Sequence, residues 1–141
     1  MKKILISALM LFSITSFAKK ISSSDVPLIV KKAFHKYFQA ASKPSWELEK
    51  GNYEANFVQS GMKMSATFDS NGGWLETETE IGTNTLPSDA NIYIEKNCKG
   101  KNIKKVSRIK MANGEEMYEA EVKGMDYIFD ANGKFIKTEK D

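Results

Sequence analysis

Hydrophobic residues recur at helical spacing in one part of the chain and alternate with polar residues in most of the rest. The helical stripe follows residues 22–25 and consists of Val26, Val30, Ala33, Phe34, Tyr37 and Phe38. Asp25 is the predicted N-cap, and Pro27 suits a first helical turn because its missing N–H donor costs nothing there. The helix is predicted to run to about Ala40 and to end before Pro44, since the residue before a proline avoids the helical region.

Alternation begins after Pro44 and indicates antiparallel strands with one buried face and one solvated face. The predicted strands of this half are 46–49, 52–57, 62–68 and 74–81. Turns separate them at Lys50-Gly51, Ser60-Gly61 and Asn71-Gly72, where the backbone needs positive angles. A register slip by one residue would exchange the two faces of a strand. In the last strand, one face is predicted to carry Trp74, Glu76, Glu78 and Glu80.

The second half of the chain repeats the first. The run Phe68-Asp69-Ser70-Asn71-Gly72 returns as Phe129-Asp130-Ala131-Asn132-Gly133, and Val26-Pro27 returns as Leu86-Pro87. The matched positions lie about 60–65 residues apart, which indicates one supersecondary unit built twice. A shorter second helix is predicted from Leu86 to near Gly100. The strands predicted to follow it are 103–111, 116–123, 125–130 and 134–139.

These patterns predict an α+β fold of two tandem α-β-β-β(-β) units, at about 25–81 and 85–139, within one domain of residues 19–141. Each unit has a helix stripe and a sheet face that must cover each other. Two units side by side would continue one antiparallel sheet, with the helices packed on one face. The other sheet face would then be open.

Residues 1–18 have the features of a secretory signal peptide. Lys2 and Lys3 precede an apolar stretch, and Ser16-Phe17-Ala18 is a small-x-small cleavage signal. Cleavage is expected after Ala18, which predicts a periplasmic or secreted protein. The apolar stretch is shorter than the roughly 20 residues that cross a bilayer, so no membrane span is predicted.

Charge and cysteine content exclude several classes of function. The formal net charge is +3, and removal of Lys2 and Lys3 leaves +1, which gives no general reason to expect nucleic acid. Cys98 is the only cysteine, so an internal disulfide is excluded. This thiol is predicted to be buried and inert, with a reactive thiol as the alternative. His35 is the only histidine and is predicted to be exposed, so neither a Cys–His nucleophile nor a zinc site is expected.

A helix, then three or four strands, with Phe-Asp-x-Asn-Gly turns followed by an aromatic residue, resembles the PepSY-like family of small exported domains, often called β-lactamase-inhibitor-like. The matching stretches are 26–38, 46–57, 68–75 and their counterparts in the second half. The resemblance covers essentially the whole predicted mature chain. It implies an envelope or secreted binding domain that uses the open sheet face. It carries over no catalytic residues, and the single cysteine departs from the disulfide-stapled inhibitor proteins.

Asp69 and Asp130 each begin a run that looks like the start of a calcium loop. An EF-hand loop needs further oxygen ligands and a bidentate Glu at its end, whereas strand hydrophobics follow here. Asp and Asn also make tight turns by bonding their own backbone. Hairpin turns are the favoured interpretation, and no metal or cofactor is predicted.

The best candidate for a binding surface is the strand face that combines an aromatic side chain with glutamates. Exposed tryptophan is enriched among binding hot spots. An ordinary solvated face is the alternative, because screening keeps like-charge repulsion small. Paired carboxylates for glycoside hydrolysis are not expected, since nothing indicates a cleft around this face. The predicted partner-binding residues are Trp74, Glu76, Glu78 and Glu80.

A basic stretch in the second half is the other charged feature. Its members, without an intervening acid, are Lys96, Lys99, Lys101, Lys104, Lys105, Arg108 and Lys110. Lysines protect edge strands from pairing, so a solvated, protective role is favoured. An anionic partner is the alternative.

The predicted function is a non-enzymatic protein- or peptide-binding domain of the cell envelope, with inhibition of a hydrolase as one form of that binding. The partner would be an envelope or extracellular protein. The alternative is a periplasmic small-ligand carrier with a pocket between helices and sheet, which Met62, Met64 and Met125 could line, although methionine at strand spacing also fills cores. No catalytic residues are predicted, and the sequence fixes neither the partner nor the oligomeric state.

Overall fold

The computed structural model describes residues 18–140, in which nine strands form one sheet that two helices accompany. The predicted signal peptide lies outside the described residues except for Ala18, so its cleavage remains a prediction. The helices are α1 (Leu28–Tyr37) and α2 (Ser88–Asn97). The strands are β1 (Lys19–Ile21), β2 (Ser45–Glu49), β3 (Asn52–Gln59), β4 (Met62–Phe68), β5 (Trp74–Ile81), β6 (Lys105–Met111), β7 (Glu116–Val122), β8 (Met125–Asp130) and β9 (Phe135–Lys140).

The strands follow one another across the sheet in chain order, and every neighbouring pair is antiparallel. The helix α1 connects β1 to β2, and α2 connects β5 to β6. The predicted α+β class with an antiparallel sheet is therefore confirmed. The strand β1 was not predicted, because its three residues are too few to display alternation; it is recognisable only by its pairing, which places Ile21 opposite Trp46.

Both helices start later and end earlier than the sequence predicts. Asp25 is not the N-cap of α1, since it lies in a short 3₁₀ turn in which the Ser22 hydroxyl accepts the N–H of Ser24. The helix α1 begins after Pro27, and its first turn closes when the Pro27 carbonyl accepts the N–H of Lys31 at 3.1 Å. Helix α2 likewise begins after its own proline, Pro87.

The strand register places the two helices on the same side of the sheet, because directly paired residues of antiparallel strands share a face. Across the first half, the pairs on this side join Trp46 to Ala55 and Ala55 to Ala66. The pairs of Ile81 with Val106 and of Val106 with Ala120 continue the same side into the second half. We call this the helix side, and the opposite surface the far face.

The buried side chains on the helix side form two clusters, one beneath each helix. Beneath α1, the Phe34 ring lies 5.0 Å from the Phe57 ring and 5.6 Å from the Trp46 ring, in edge-to-face contacts that stabilise aromatic cores. Beneath α2, the Tyr93 ring stacks on Phe135 at 4.4 Å. The inward-facing apolar residues of the helices thus pack on one side of the sheet, whereas Leu28, Ile29 and Ile92 of the same helices remain exposed.

The repeated Phe-Asp-x-Asn-Gly runs are tight turns that touch the helices. The Asp69 carboxylate accepts the N–H groups of Asn71 and Gly73 at 2.8 Å each, and Asp130 makes the equivalent pair of bonds in the second half. The favoured interpretation of these runs as hairpin turns agrees with this geometry. Gly133 adopts a positive φ of 89°, and a Cβ there would lie 2.9 Å from the Ala90 backbone nitrogen of α2.

Replacement of Phe68 or Phe129 by alanine is expected to lower the free energy of unfolding by about 3–5 kcal/mol, through lost burial and the cavity left behind. Both side chains are fully buried, one in each cluster. Val58→Ala, at a position that is 44% exposed, is the control and should change stability little. Urea unfolding measures all three, and a Phe68→Ala variant as stable as the wild type would contradict the core assignment.

Gly133→Ala is expected to destabilise the protein more than Gly114→Ala. Both glycines have a positive φ near 90°, so the backbone strain is matched, but an added Cβ meets α2 only at Gly133. The clash should add about 1–3 kcal/mol. Thermal melts of the two variants compare them directly; equal losses would show that the turn does not press against the helix.

Candidate functional site

Among residues 18–140, the far face is acidic and neither helix packs on it. Carboxylates outnumber ammonium groups on it, since the lysines that the strand register places there are Lys20, Lys63, Lys105 and Lys137. The carboxylates that the strand register places there include Glu47, Glu49, Glu54, Glu76, Glu78, Glu80, Glu119, Glu121, Asp126 and Glu139. The net charge of +1 that remains after removal of Lys2 and Lys3 is therefore unevenly distributed, because the acidic side chains are concentrated on the far face.

We infer that the far face is concave, first from the groups that act on Glu76. Burial is the main cause that raises the pKa of Glu76, and the charges of Glu139 and Glu49 raise it further, while Lys137 lowers it. In a flat sheet, β9 would lie four strand spacings from β5, about 19 Å away, where screening removes most of the interaction. The sheet must therefore curl until β9 approaches β5 across the far face.

Burial on the far face supports the same conclusion. Ile109 and Ile128 are only 5% and 3% exposed, although they lie on the side without helices. Ser107 of the same surface is also buried. Curvature brings side chains of neighbouring strands together and shields them without any covering element.

Glu78 lies in the middle of this concave surface. Burial raises its pKa to about 8, and the carboxylates of Glu119, Glu76 and Glu54 add to the effect, against an opposing contribution from Lys105. The carboxyl of Glu78 consequently keeps its proton to a higher pH than an exposed glutamate does. Burial and its acidic neighbours also raise the pKa of Glu54, although a hydrogen bond from Ser65 lowers it.

Two members of the predicted basic stretch contact the acidic residues. The Lys104 ammonium lies 2.6 Å from the Glu121 carboxylate, and that of Lys105 lies 3.9 Å from Glu119. Burial lowers the pKa of Lys105, but its acidic neighbours, Glu119 first, raise it more, so the pKa lies above its ordinary value. The stretch does not share one face, because Arg108 pairs with Thr79 and Tyr118 on the helix side.

Trp74 does not share a face with Glu76, Glu78 and Glu80, so that prediction is wrong. A β-bulge between Thr67 and Phe68 pairs Phe68 with Trp74, which places the indole on the helix side. There its ring lies 5.6 Å from the ring of Tyr37 of α1. The three glutamates lie on the far face, as the alternation predicts.

Sequence reasoning missed Glu54, Glu119, Glu121 and Lys105 as members of this surface. Glu119 and Glu121 alternate with Tyr118 and Ala120, so their strand pattern carried the signal for one shared face. The pattern gives no information about the curvature that brings their strand towards β5.

Two cavities open on the far face. The larger, about 440 Å³, is lined by Leu75, Glu76 and Met111 together with Asn52, Thr67, Ala112 and Asn113. The smaller, about 200 Å³, is polar and includes Glu54, Glu78, Lys63 and Lys105. Neither lies between helices and sheet, where the carrier interpretation placed its pocket.

Cys98 is buried, as predicted, in the cluster beneath α2. Its thiol hydrogen-bonds with Tyr127 and raises the pKa of that hydroxyl. His35 is exposed, also as predicted, and belongs to α1. Among residues 18–140, no three His, Cys, Asp or Glu side chains are arranged to hold a metal ion.

A protein-family model described as "Putative beta-lactamase-inhibitor-like, PepSY-like" matches residues 51–137. The chain belongs to this PepSY-like family. The description names an inhibitor-like fold and no catalytic activity. A search of curated protein sequences finds no match.

Solved structures share the fold across most of the chain. A protein of Bacteroides eggerthii described as a "putative periplasmic" protein has a TM-score of 0.71 at 18% identity, over 82% of this chain and 88% of its own. A DUF2874 family protein of Bacteroides uniformis has 0.70 at 18% identity, over 81% and 88%. A BLIP-like protein of Bacteroides fragilis has 0.61 at 23% identity, over 81% and 85%.

The Bacteroides eggerthii protein is described as periplasmic, which is the compartment that the sequence predicts for this chain. Within residues 18–140, neither helix has the length and apolar character needed to cross a bilayer. At these identities the solved structures establish the fold, and the far face must be interpreted from its own residues.

Glu78→Gln is expected to stabilise the protein increasingly as the pH rises. The unfolded carboxyl loses its proton near pH 4.5 and the folded one near 8, so the stability of the wild type falls between these values. Glutamine does not titrate and escapes this loss. The gain should be small near pH 4 and about 1–3 kcal/mol near pH 9. Thermal melts across this range, with the more exposed Glu80→Gln as control, test the expectation; a gain independent of pH would contradict it.

Proposed function

We propose that this protein is an exported, non-enzymatic binding domain whose far face takes a cationic segment of an envelope or extracellular protein or peptide. The observation that carries the proposal is the acidic surface around Glu76, Glu78 and Glu80, which neither α1 nor α2 covers. Both helices pack on the opposite side, where Leu28, Ile29 and Ile92 remain exposed. The far face is favoured as the binding surface because its two cavities and its clustered charges lie there.

The electrostatics favour a positively charged partner. Burial first, and neighbouring carboxylates second, raise the pKa values of Glu54, Glu76 and Glu78, so a positive charge brought to this surface would favour their ionised forms. A lysine- or arginine-rich segment would offset that repulsion and would be drawn towards the face at long range. An acidic partner would meet repulsion across the whole concave surface.

Trp74 contributes from behind the face rather than as an anchor for the partner. Its indole N–H donates to the Glu76 carbonyl and to the Thr77 hydroxyl, each at 2.9 Å. These bonds hold the segment of β5 that presents the Glu76 carboxylate. Its role in partner binding is therefore to position a residue that binds.

Inhibition of a hydrolase is one form that such binding can take, supported by the BLIP-like relative and by the inhibitor-like description of the family. A concave sheet surface suits the convex surface of a folded protein.

Small-ligand transport is the second candidate. It is supported by the 440 Å³ cavity, because this volume lies within the usual range for ligand pockets, about 300–1,000 Å³. Copurification of a small molecule, detected by native mass spectrometry, would favour the carrier.

We also infer that the two halves arose as one repeated unit. In support, each helix follows a 3₁₀ turn and a proline, and each Phe-Asp-x-Asn-Gly turn contacts its helix. Duplication would produce one continuous sheet twice as wide as a single unit. That width is what allows the sheet to curl around a partner.

Purified protein is expected to bind an oligolysine peptide and not an oligoglutamate peptide. The double variant Glu76→Gln/Glu80→Gln should weaken oligolysine binding roughly tenfold, because two carboxylates of the face lose their charge. Glu95→Gln, on an exposed position of α2, is the matched control and should bind like the wild type. Fluorescence anisotropy of labelled peptides measures the affinities, and equal binding of both peptides would contradict the proposal.

In living cells, a photoreactive group at position 80 should crosslink to a protein that a group at position 95 does not capture. The captured protein is expected to present a lysine- or arginine-rich segment at the crosslink. Crosslinks at position 95 alone would place the interface on the helix side instead.

A further inference from the structure

The larger cavity of the far face owes its shape to the β-bulge of β4 and β5. Register shifts between Thr67 and Phe68, so Leu75 is the extra residue that opposes no partner of its own. Its carbonyl accepts the N–H of Ala112 at 2.8 Å, which ties the β6–β7 turn to the bulge. Two irregular backbone segments thus fix the walls of the cavity.

The turn that forms the second wall is itself held by hydrogen bonds. The Asn113 side-chain oxygen accepts the N–H of Glu115, and the Glu115 carbonyl accepts the N–H of Met111, each at 2.9 Å. Gly114 takes the positive φ that the turn requires. The cavity is therefore built by backbone contacts and does not depend on a ligand to form.

The lining of the cavity combines an apolar surface with one charged group. Leu75, Met111 and Ala112 provide the apolar part, whereas Glu76 is its only charged residue. Glu76 lies directly opposite Met111 in the register of β5 and β6, so the carboxylate and the thioether stem are neighbours on one face. The whole lining is half-buried or exposed, as expected of an open cleft.

Charge around this cavity is predominantly negative. In the register of β3, β4 and β5, only Thr67 separates Glu76 from Glu54, and Glu49 and Glu139 also act on the Glu76 carboxylate. Lys137 opposes them, but its ammonium is already paired with the Glu139 carboxylate. A ligand that brings a cation beside Glu76 would therefore be stabilised.

We propose that this cavity is the subsite for a lysine or arginine side chain of the bound partner, with its methylene stem against Leu75 and Met111 and its charged head at Glu76. Lysine and arginine are the side chains that combine a long apolar stem with a terminal cation, which matches this lining. An apolar side chain would leave the Glu76 carboxylate desolvated without compensation, and an acidic one would be repelled. The inference rests on the proposed function, since it names the group that the far face recognises.

The test uses three acetylated and amidated pentapeptides, Gly-Gly-X-Gly-Gly, in which X is lysine, norleucine or glutamate. Norleucine keeps the stem of lysine and removes its charge. In NMR titrations, the lysine peptide is expected to shift the Leu75 and Met111 side-chain signals with at least tenfold higher affinity than the norleucine peptide. The glutamate peptide should cause no shift at this position.

Variants separate the roles of charge and stem. Glu76→Gln should reduce affinity for the lysine peptide about tenfold and should not weaken the norleucine peptide, because an apolar side chain no longer desolvates a charge there. Glu76→Asp should restore part of the loss for the lysine peptide. Leu75→Ala should weaken both peptides. Glu116→Gln is the control, because Glu116 is exposed on the helix side of the same sheet.

The outcomes distinguish this subsite from the proposed function. Oligolysine binding that is weakened by Glu80→Gln but not by Glu76→Gln or Leu75→Ala would overturn the subsite and leave the acidic face intact as a binding surface. Lysine and norleucine peptides of equal affinity would also overturn it, since the cavity would then recognise only the stem. If no cationic peptide binds at all, both proposals fail.

Discussion

One antiparallel sheet must bury one of its faces, and in this protein both helices bury the same one. The register carries the helix side without interruption from Trp46 beneath α1 to Ala120 beneath α2. The inward-facing aromatic and aliphatic side chains of both helices are used in this packing. The acidic side chains and the two cavities lie on the far face, which neither α1 nor α2 covers.

Curvature gives the uncovered face its chemical character. On a flat sheet, the glutamates of β5 would be ordinary solvated side chains with little effect on one another. The curl brings β3, β7 and β9 towards them, which excludes water and raises the pKa of Glu78 to about 8. Glu78 therefore keeps its proton to a higher pH than an exposed glutamate does, and a cation beside it would favour the ionised form. Stability and binding are linked there, because ionisation of this buried carboxyl costs folding energy that a cationic partner would offset.

Small irregularities in the strands decide which side chains reach this face. The bulge in β5 turns Trp74 towards α1 and leaves Leu75 at the cavity, the reverse of simple alternation. A corresponding register shift between Ile128 and Phe129 pairs Phe129 with Phe135 in the second half. Both bulges follow the Phe-Asp-x-Asn-Gly turn, so the tight turn and the displaced aromatic residue belong to one local motif.

The sequence by itself determined the helices, all strands but β1, the turns and the burial of Cys98, because these depend on periodicity and on local backbone preferences. It also placed Glu76, Glu78 and Glu80 on one face. It could not place Trp74, since a bulge changes the facing of a residue without changing the residue pattern. Only the tertiary structure decided the curl of the sheet, which brings Glu54, Glu119 and Lys105 close to Glu78. Contacts between distant strands depend on accumulated twist rather than on any local signal.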